Sequence, residues 1–297
     1  MTLVLGMILD AILGEPKWLW SRAPHPAVLM GRLIDWIDRK FNNDTFRNGL
    51  MAMICLSIGA AALGVALQLI PGQIAEVIVL AILLAQKSLI EHVRAVAMGL
   101  RQSLTEGKRA VAMIVGRDTA NMTKADVARS AIESAAENLS DGVIAPVFWF
   151  AVAGLPGLLV YKITNTADSM IGHRNARYER FGKAAARFDD LLNLVPARVT
   201  ALLIWAVTPL RNFAGMQRDA PAHRSPNAGW PEAAMAHGLN IALSGPRSYD
   251  GQIKQFPYVN AAGRIDLGAD DIMRTTGALW AAWRLALGLI ILIALIL

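Results

Sequence analysis

Apolar and polar residues alternate along this chain in long blocks rather than at short period. Residues 50–70 (LMAMICLSIGAAALGVALQLI) carry no charge, and residues 278–297 (ALWAAWRLALGLIILIALIL) carry only Arg284. Each run is close to the ~20 residues a helix needs to cross a bilayer. Runs 74–90 and 194–210 are shorter or interrupted. Run 143–161 (VIAPVFWFAVAGLPGLLVY) is long enough but is broken by Pro146, Gly154, Pro156 and Gly157. There is no strand-like alternation, internal repeat or low-complexity tract. The pattern predicts an all-α, polytopic integral membrane protein with about four to six apolar helices, one broken or re-entrant, joined by cytoplasmic helical loops. The opening MTLVLGMILDAILGEP lacks a basic start and is interrupted by Asp10. It reads as a retained short membrane or interfacial helix, not as a signal peptide.

The polar blocks are 15–49, 91–142, 162–193 and 211–277. They are expected to build the site of a single membrane-embedded domain over residues 1–297. In the second block, Leu100, Leu104, the EGK turn at 106–108 and VGRD at 115–118 predict two helices and a turn. Thr123 and Asp126 have capping-box spacing. The helix they open carries Val127, Ala131, Ala135 and Leu139 as its buried stripe, with Arg129, Glu133, Glu137 and Asn138 outside it. Pro231 and Glu232 read as a helix first turn. If 143–161 crossed a membrane once, ESAAENLSDG and NTADSM would end on opposite sides. A re-entrant hairpin returns both to one side, and broken helices are tolerated at that depth when buried in protein.

Composition narrows the class. Hydrophobic residues make up 55% of the 297, and the mean hydropathy is +0.40, above the usual soluble domain. The formal net charge is +6, with Arg and Lys between the apolar runs, which suits cytoplasmic loops or an anionic ligand. No basic run with interleaved aromatics points to nucleic acid. Cys55 is the single cysteine. It excludes an intramolecular disulfide and a Cys-rich metal centre, and reads as a small core residue.

The chain has no P-loop, no G-x-G-x-x-G, no H-E-x-x-H and no G-x-S-x-G. What it has are dense polar clusters beside apolar helices. Glu133, Glu137 and Asp141 stand four residues apart in ESAAENLSDG, where like charges repel by a few tenths of a kcal/mol per pair. Asn165, Asp168, His173, Arg174, Asn175 and Arg177 follow the broken run, and Asp189 and Asp190 precede Arg198. Ionisable groups near membrane segments usually face a cavity or a partner. Carboxylates and Asn with Arg suit a Mg²⁺-phosphate site. The plainer readings are a solvated helix face paired with Arg129 for Glu133, Glu137 and Asp141, and helix-face charges for Asp189 and Asp190. They also make His173 a polar loop residue and His92, His223 and His237 structural.

The strings GEPKWLW…PHPAVLMGRLI, VGRDT, ESAAENLSDGVIAP, LPGLLVYKITNTADSMIGHRNARYERFGKAAARFDDLLNLVPARVTALL, RDAPAHRSPNAGWPEAAMA and LSGPRSYDG resemble the adenosylcobinamide-phosphate synthase family of cobalamin (vitamin B12) biosynthesis, the CobD/CbiB family. The resemblance runs from about residue 8 to residue 252. Ser244 stands where the family pattern has the first of two glycines, and Glu15 where Asp is common. The resemblance implies a multi-pass membrane ligase of the bacterial inner membrane, its site facing the cytoplasm. It would join the propionate carboxylate of a corrinoid, cobyric acid, to aminopropanol or aminopropanol phosphate, with ATP as co-substrate and Mg²⁺. On that reading Glu137, Asp168 and His173 are the candidate catalytic residues. Asn138, Asn165, Arg174, Asn175, Arg177, Arg198, Asn227 and His25 are candidates for substrate binding, and Glu133, Asp141, Asp189 and Asp190 for the metal. The expected partners are the two substrates, the bilayer, and either a second copy or other enzymes of the pathway. The competing readings are a transporter for a corrinoid or other anion and a non-catalytic membrane scaffold.

Overall fold

The computed structural model describes residues 1–249 and 252–296. Its helices, in chain order, begin with α1 (Thr2–Leu13), α2 (Lys17–Trp20), α3 (Pro26–Phe41), α4 (Phe46–Gln68), α5 (Ile74–Leu83), α6 (Gln86–Gln102) and α7 (Leu104–Val111). Then come α8 (Lys124–Leu139), a π-helical turn (Ser140–Ile144), α9 (Ala145–Ile171), α10 (Lys183–Val207), α11 (Phe213–Asp219), α12 (Gly229–Leu239) and α13 (Ala269–Ile296). Among the described residues, four helical stretches are long and apolar enough to cross a membrane: Phe46–Gln68, Lys124–Ile171, Lys183–Val207 and Ala269–Ile296. The all-α, membrane-spanning class read from the sequence is the class observed. The chain divides into two compact units, Met1–Lys87 with Asp141–Pro196, and Ser88–Ser140 with Ala197–Leu297.

In the first unit α9 packs along α4 and α3, and α1 packs on α5. The stretch through 143–161 is no straight rod. Ala153 (φ −141°, ψ 20°) and Gly154 (φ 61°, ψ −149°) leave helical geometry, and the Gly154 conformation is essentially open to glycine alone. In a straight helix residues 141 and 161 would be about 30 Å apart. Instead the Tyr161 hydroxyl lies 3.1 Å from the Asp141 carbonyl oxygen. The Trp149 carbonyl also abuts Gly157. The chain therefore runs out along 145–152, turns, and returns along 155–171. The outgoing leg is about 12 Å long, far short of the ~30 Å of a hydrocarbon core. The Pro and Gly breaks thus fold the stretch into a hairpin, which brings Asp141 of ESAAENLSDG beside Tyr161, four residues before NTADSM. Glycines make it fit: Gly64 of α4 lies against the Pro156 backbone, where a Cβ has no room.

Cys55 corrects an expectation. It is exposed on α4, which turns most of its apolar surface outward, as Ile58 (64% exposed) and Leu63 (54%) also show. A helix of this length and composition meets acyl chains there, so an apolar outward residue is not a core residue.

In the second unit α8 is the central helix, packed by α13, α12 and α7. Thr123 and Asp126 form the expected capping box. Two expectations differ. The break between α6 and α7 falls at Ser103, whose hydroxyl accepts from Glu106 N–H, so EGK lies inside α7. The buried face of α8 also extends past the predicted stripe to include Arg129 and Glu133, because both find partners inside. Four short antiparallel strands are added, β1 (Leu243–Ser244) with β4 (Tyr258–Val259), and β2 (Arg247–Tyr249) with β3 (Gln252–Lys254). They are too short for alternation to show in the sequence, and β1 packs on α8.

Candidate active site: two polar clusters

The second unit holds a buried acid–base cluster. Glu133 on α8 is 1% exposed. Its Oε2 lies 2.6 Å from Arg117 Nη2 and 3.2 Å from Arg247 Nη2. Its Oε1 accepts the backbone N–H of Ser244 at 2.6 Å. Ser244 (φ 62°) and Gly245 (φ 81°) are both left-handed, and this turn aims the amide at the carboxylate. The Ser244 hydroxyl accepts from Arg247 Nη2 at 3.0 Å. Glu232, in the first turn of α12, is also buried, and its Oε2 has no hydrogen-bond partner. Burial first, then the charges of Glu133 and Glu137, push its carboxyl well above the ordinary 4.5. His223 Nε2 sits 3.7 Å from Glu232 Oε1. Burial and the nearby Arg247 lower its pKa, favouring neutral imidazole. Arg224 lies over Phe256 at 4.6 Å and Arg247 over the same ring at 5.7 Å. A cavity of about 320 Å³ opens beside the cluster, lined by Arg117, Asp118, Arg129, Ser130, Arg247 and Tyr258 among others.

Several expected residues have partners within the protein here. Glu133 was expected at the metal, but arginine and a backbone amide engage both its oxygens, and cations already neutralise it. Arg129 does not pair with the ESAAENLSDG carboxylates. It binds Asp126 at 2.8 Å and the carbonyls of Ala242 and Ile265. Glu137 and Asn138 are exposed, and the Asn138 amide donates back to the Ser134 carbonyl and hydroxyl. Arg198 and Asn227 come together as a pair: Nη1 donates to Asn227 Oδ1 at 2.6 Å, Nη2 to the Pro226 carbonyl, and the guanidinium lies 4.9 Å over Trp230.

The first unit holds a second cluster. Asp189 (8% exposed) accepts from Asn165 at 3.3 Å and from Asn193 at 3.0 Å. Asn193 Oδ1 lies 3.0 Å from the Tyr161 hydroxyl. Asp168 interacts electrostatically with Asp190 and His173, and Asp190 with Arg174. Lys162 feels the charges of Asp141, Glu15 and Asp10. Asp10 itself accepts the Gln86 backbone N–H at 2.9 Å, which anchors the start of α6.

Three residues expected at substrate make contacts within the scaffold. Arg177 Nη2 binds the buried Asp38 at 2.6 Å, and the Asn175 side chain accepts the N–H groups of Arg177 and Tyr178. The Asn175 bonds shape the 172–182 loop, and the Arg177–Asp38 pair ties it to α3. His25 caps α3, its Nδ1 accepting from Ala27 N–H while Nε2 lies 3.2 Å from the Ile82 carbonyl. Both ring nitrogens are thus occupied, and burial lowers its pKa. Among the described residues, no three His, Cys, Asp or Glu side chains form a metal-binding group.

Sequence reasoning left Arg117, Arg247, Glu232, Tyr161 and Lys162 out of the candidate set. Their signals were present. Arg117 lies in VGRDT and Arg247 in LSGPRSYDG, and Lys162 is the first charge after a long apolar run.

Comparison with known proteins gives this geometry a family. The sequence model described as CobD/Cbib protein matches residues 3–279. A protein of Brucella anthropi named cobalamin biosynthesis protein CobD is 47% identical over 315 residues, covering 99% of this chain and 96% of the relative. Proteins of the same name from Rhizobium meliloti (47% identical, 94% of this chain and 92% of the relative) and Rhodobacter capsulatus (44%, 90% and 89%) are also similar. No solved structure matches. The match spans nearly the whole chain, both polar clusters included, and the chain belongs to the CobD/Cbib family.

Proposed function

We propose that this protein acts in cobalamin biosynthesis as a membrane-bound ligase. It would join the propionate carboxylate of cobyric acid to aminopropanol or its phosphate ester at the expense of ATP. Family membership and the names of the relatives support the pathway. The observation that carries the chemistry is the convergence of Arg117, Arg129 and Arg247 on one cavity, with Glu133 fixing two of them.

A carboxylate does not react with an amine until an oxygen is made a leaving group. In the proposed reaction the propionate oxygen attacks the γ-phosphorus of ATP and ADP departs, leaving an acyl phosphate. The amine nitrogen then attacks the acyl carbon, and phosphate leaves as the amide forms. Catalysis of phosphoryl transfer is largely positioning and charge neutralisation. Arg117 and Arg247 would supply both, because their guanidinium planes are pinned by Glu133. Glu137, exposed on the same helix, would take the proton shed by the incoming amine.

Mg²⁺ takes oxygen ligands, with one or two carboxylates and several waters. Glu232 fits that demand, because one of its buried oxygens has no hydrogen-bond partner. In the first unit, Asp168 and Asp189 with Asn165 form a second oxygen-rich set. Mg²⁺ would supply neutralisation of the phosphate charge. The test is a reconstituted assay with cobyric acid, each amine, ATP and Mg²⁺, run on the wild type and on Glu232→Gln and Asp189→Asn. The reading requires an ATP-dependent amide product. Loss confined to one variant assigns the metal to that cluster.

A further inference from the structure

A groove in the first unit has a shape and charge that the proposed ligase reaction does not use. It has a volume of about 480 Å³ and lies between α4 and the first half of α10. Its walls are apolar: Phe46, Leu50 and Ile54 from α4 face Phe188 and Leu191 from α10, and Arg187 closes one side. Ile54 is 43% exposed and Leu191 60%. Both helices are of membrane-crossing length and composition. The groove therefore opens where acyl chains would be.

One end of the groove is basic. Gly49, in the first turn of α4, packs on the Phe181 carbonyl so closely that a Cβ would collide with it. That contact puts the N-terminal ends of α4 and α10 side by side. Arg47 stands at the first of these ends, and Lys183 and Arg187 stand four residues apart at the second. Residues so spaced share a helix face. All three side chains are exposed, and none forms an ion pair or hydrogen bond with another described residue. Arg187 lining an apolar slot, with Arg47 and Lys183 at the adjoining helix ends, complements one kind of molecule, an amphiphile with an anionic head and an apolar tail. Basic pockets between membrane helices are known to select anionic lipid headgroups.

We propose that this groove is a binding site for an anionic phospholipid. One acyl chain would lie along Leu50, Ile54 and Leu191, with the phosphate at Arg47, Lys183 and Arg187. The site is independent of the proposed ligase reaction.

The test is native mass spectrometry of the full chain, released from detergent containing equal amounts of phosphatidylglycerol and phosphatidylcholine of the same acyl composition. Expected is retention of phosphatidylglycerol over phosphatidylcholine by about tenfold or more, falling about fivefold for each cation removed. Arg187→Lys should keep the preference, while Arg187→Gln should weaken it. Ile54→Trp, which fills the slot and leaves the charges, should lower retention of the same lipid. Equal retention of the two lipids would make this ordinary boundary lipid and overturn the proposal. So would unchanged phosphatidylglycerol retention in a folded Arg47→Ala, Lys183→Ala, Arg187→Ala variant. So would a second copy of the chain cross-linking through position 54. If the triple variant does not fold, as judged by elution and helix content, the Arg187→Gln and Ile54→Trp variants decide.

Discussion

The backbone N–H of Ser244 donates to Oε1 of Glu133 at 2.6 Å. This bond joins the LSGPRSYDG loop to ESAAENLSDG across more than a hundred residues of sequence. With Arg117 and Arg247 on the other oxygen, Glu133 is a buried anion that orders a loop and two guanidinium groups. Glu133→Ala leaves both arginines without their buried counter-charge, and such losses cost about 3–5 kcal/mol. Thermal unfolding in detergent should show a clearly lowered midpoint. Glu133→Gln keeps the acceptor for Ser244 and should fall between it and the wild type.

Ser244 occupies a left-handed backbone position, φ 62°, which costs a non-glycine residue roughly 1–2 kcal/mol. Its hydroxyl recovers part of that by accepting from Arg247. Ser244→Gly should therefore hold stability within about 1 kcal/mol of the wild type. Ser244→Val has neither the glycine freedom nor the hydroxyl and should unfold at lower denaturant concentration.

The Glu232 carboxyl titrates well above its ordinary 4.5 in the folded chain. Over the interval from 4.5 up to the folded pKa, the folded state binds more protons than the unfolded one. The contribution of Glu232 is therefore most favourable below 4.5 and is lost as pH rises across that interval. Glu232→Gln removes this term. It should raise the melting temperature at pH 8 relative to the wild type, by more than at pH 5. A variant less stable than the wild type at pH 8 would contradict the assignment.

The hairpin over 145–171 predicts where its two ends lie. In a chain with Cys55→Ala, single cysteines at Gly142 and at Ser169 should be labelled from the same side of a sealed vesicle. Gly154→Ala should destabilise by about 1–3 kcal/mol, because its conformation excludes side chains and a Cβ there would meet the Gln68 amide.

The apolar blocks made the membrane helices legible, and Pro146, Gly154, Pro156 and Gly157 made the hairpin legible. The roles of single polar residues were less so. Arg177 and Asn175 have the composition of a phosphate site, but Asp38, far off in sequence, claims Arg177. Glu133 read as a metal ligand because one partner, Arg117, lies 16 residues before it and the other, Arg247, opens β2, a strand too short to show periodicity. Local spacing records which residues share a helix face. It does not record which charge from a distant loop arrives to neutralise them. Asp168 and Asp189 stood out because an ionisable group beside an apolar run needs a partner or a cavity, and the structure gives Asp189 the side chains of Asn165 and Asn193. Lys162 met the same criterion.

The central claim is tested most directly with purified protein in nanodiscs, supplied with cobyric acid, aminopropanol phosphate or aminopropanol, ATP and Mg²⁺. Mass spectrometry would follow the corrinoid, with ADP and phosphate measured in parallel. Expected is an amide product formed in step with ADP, absent without ATP and lost in Glu137→Ala. No product with either amine, from folded protein that binds the corrinoid, would contradict the ligase reading.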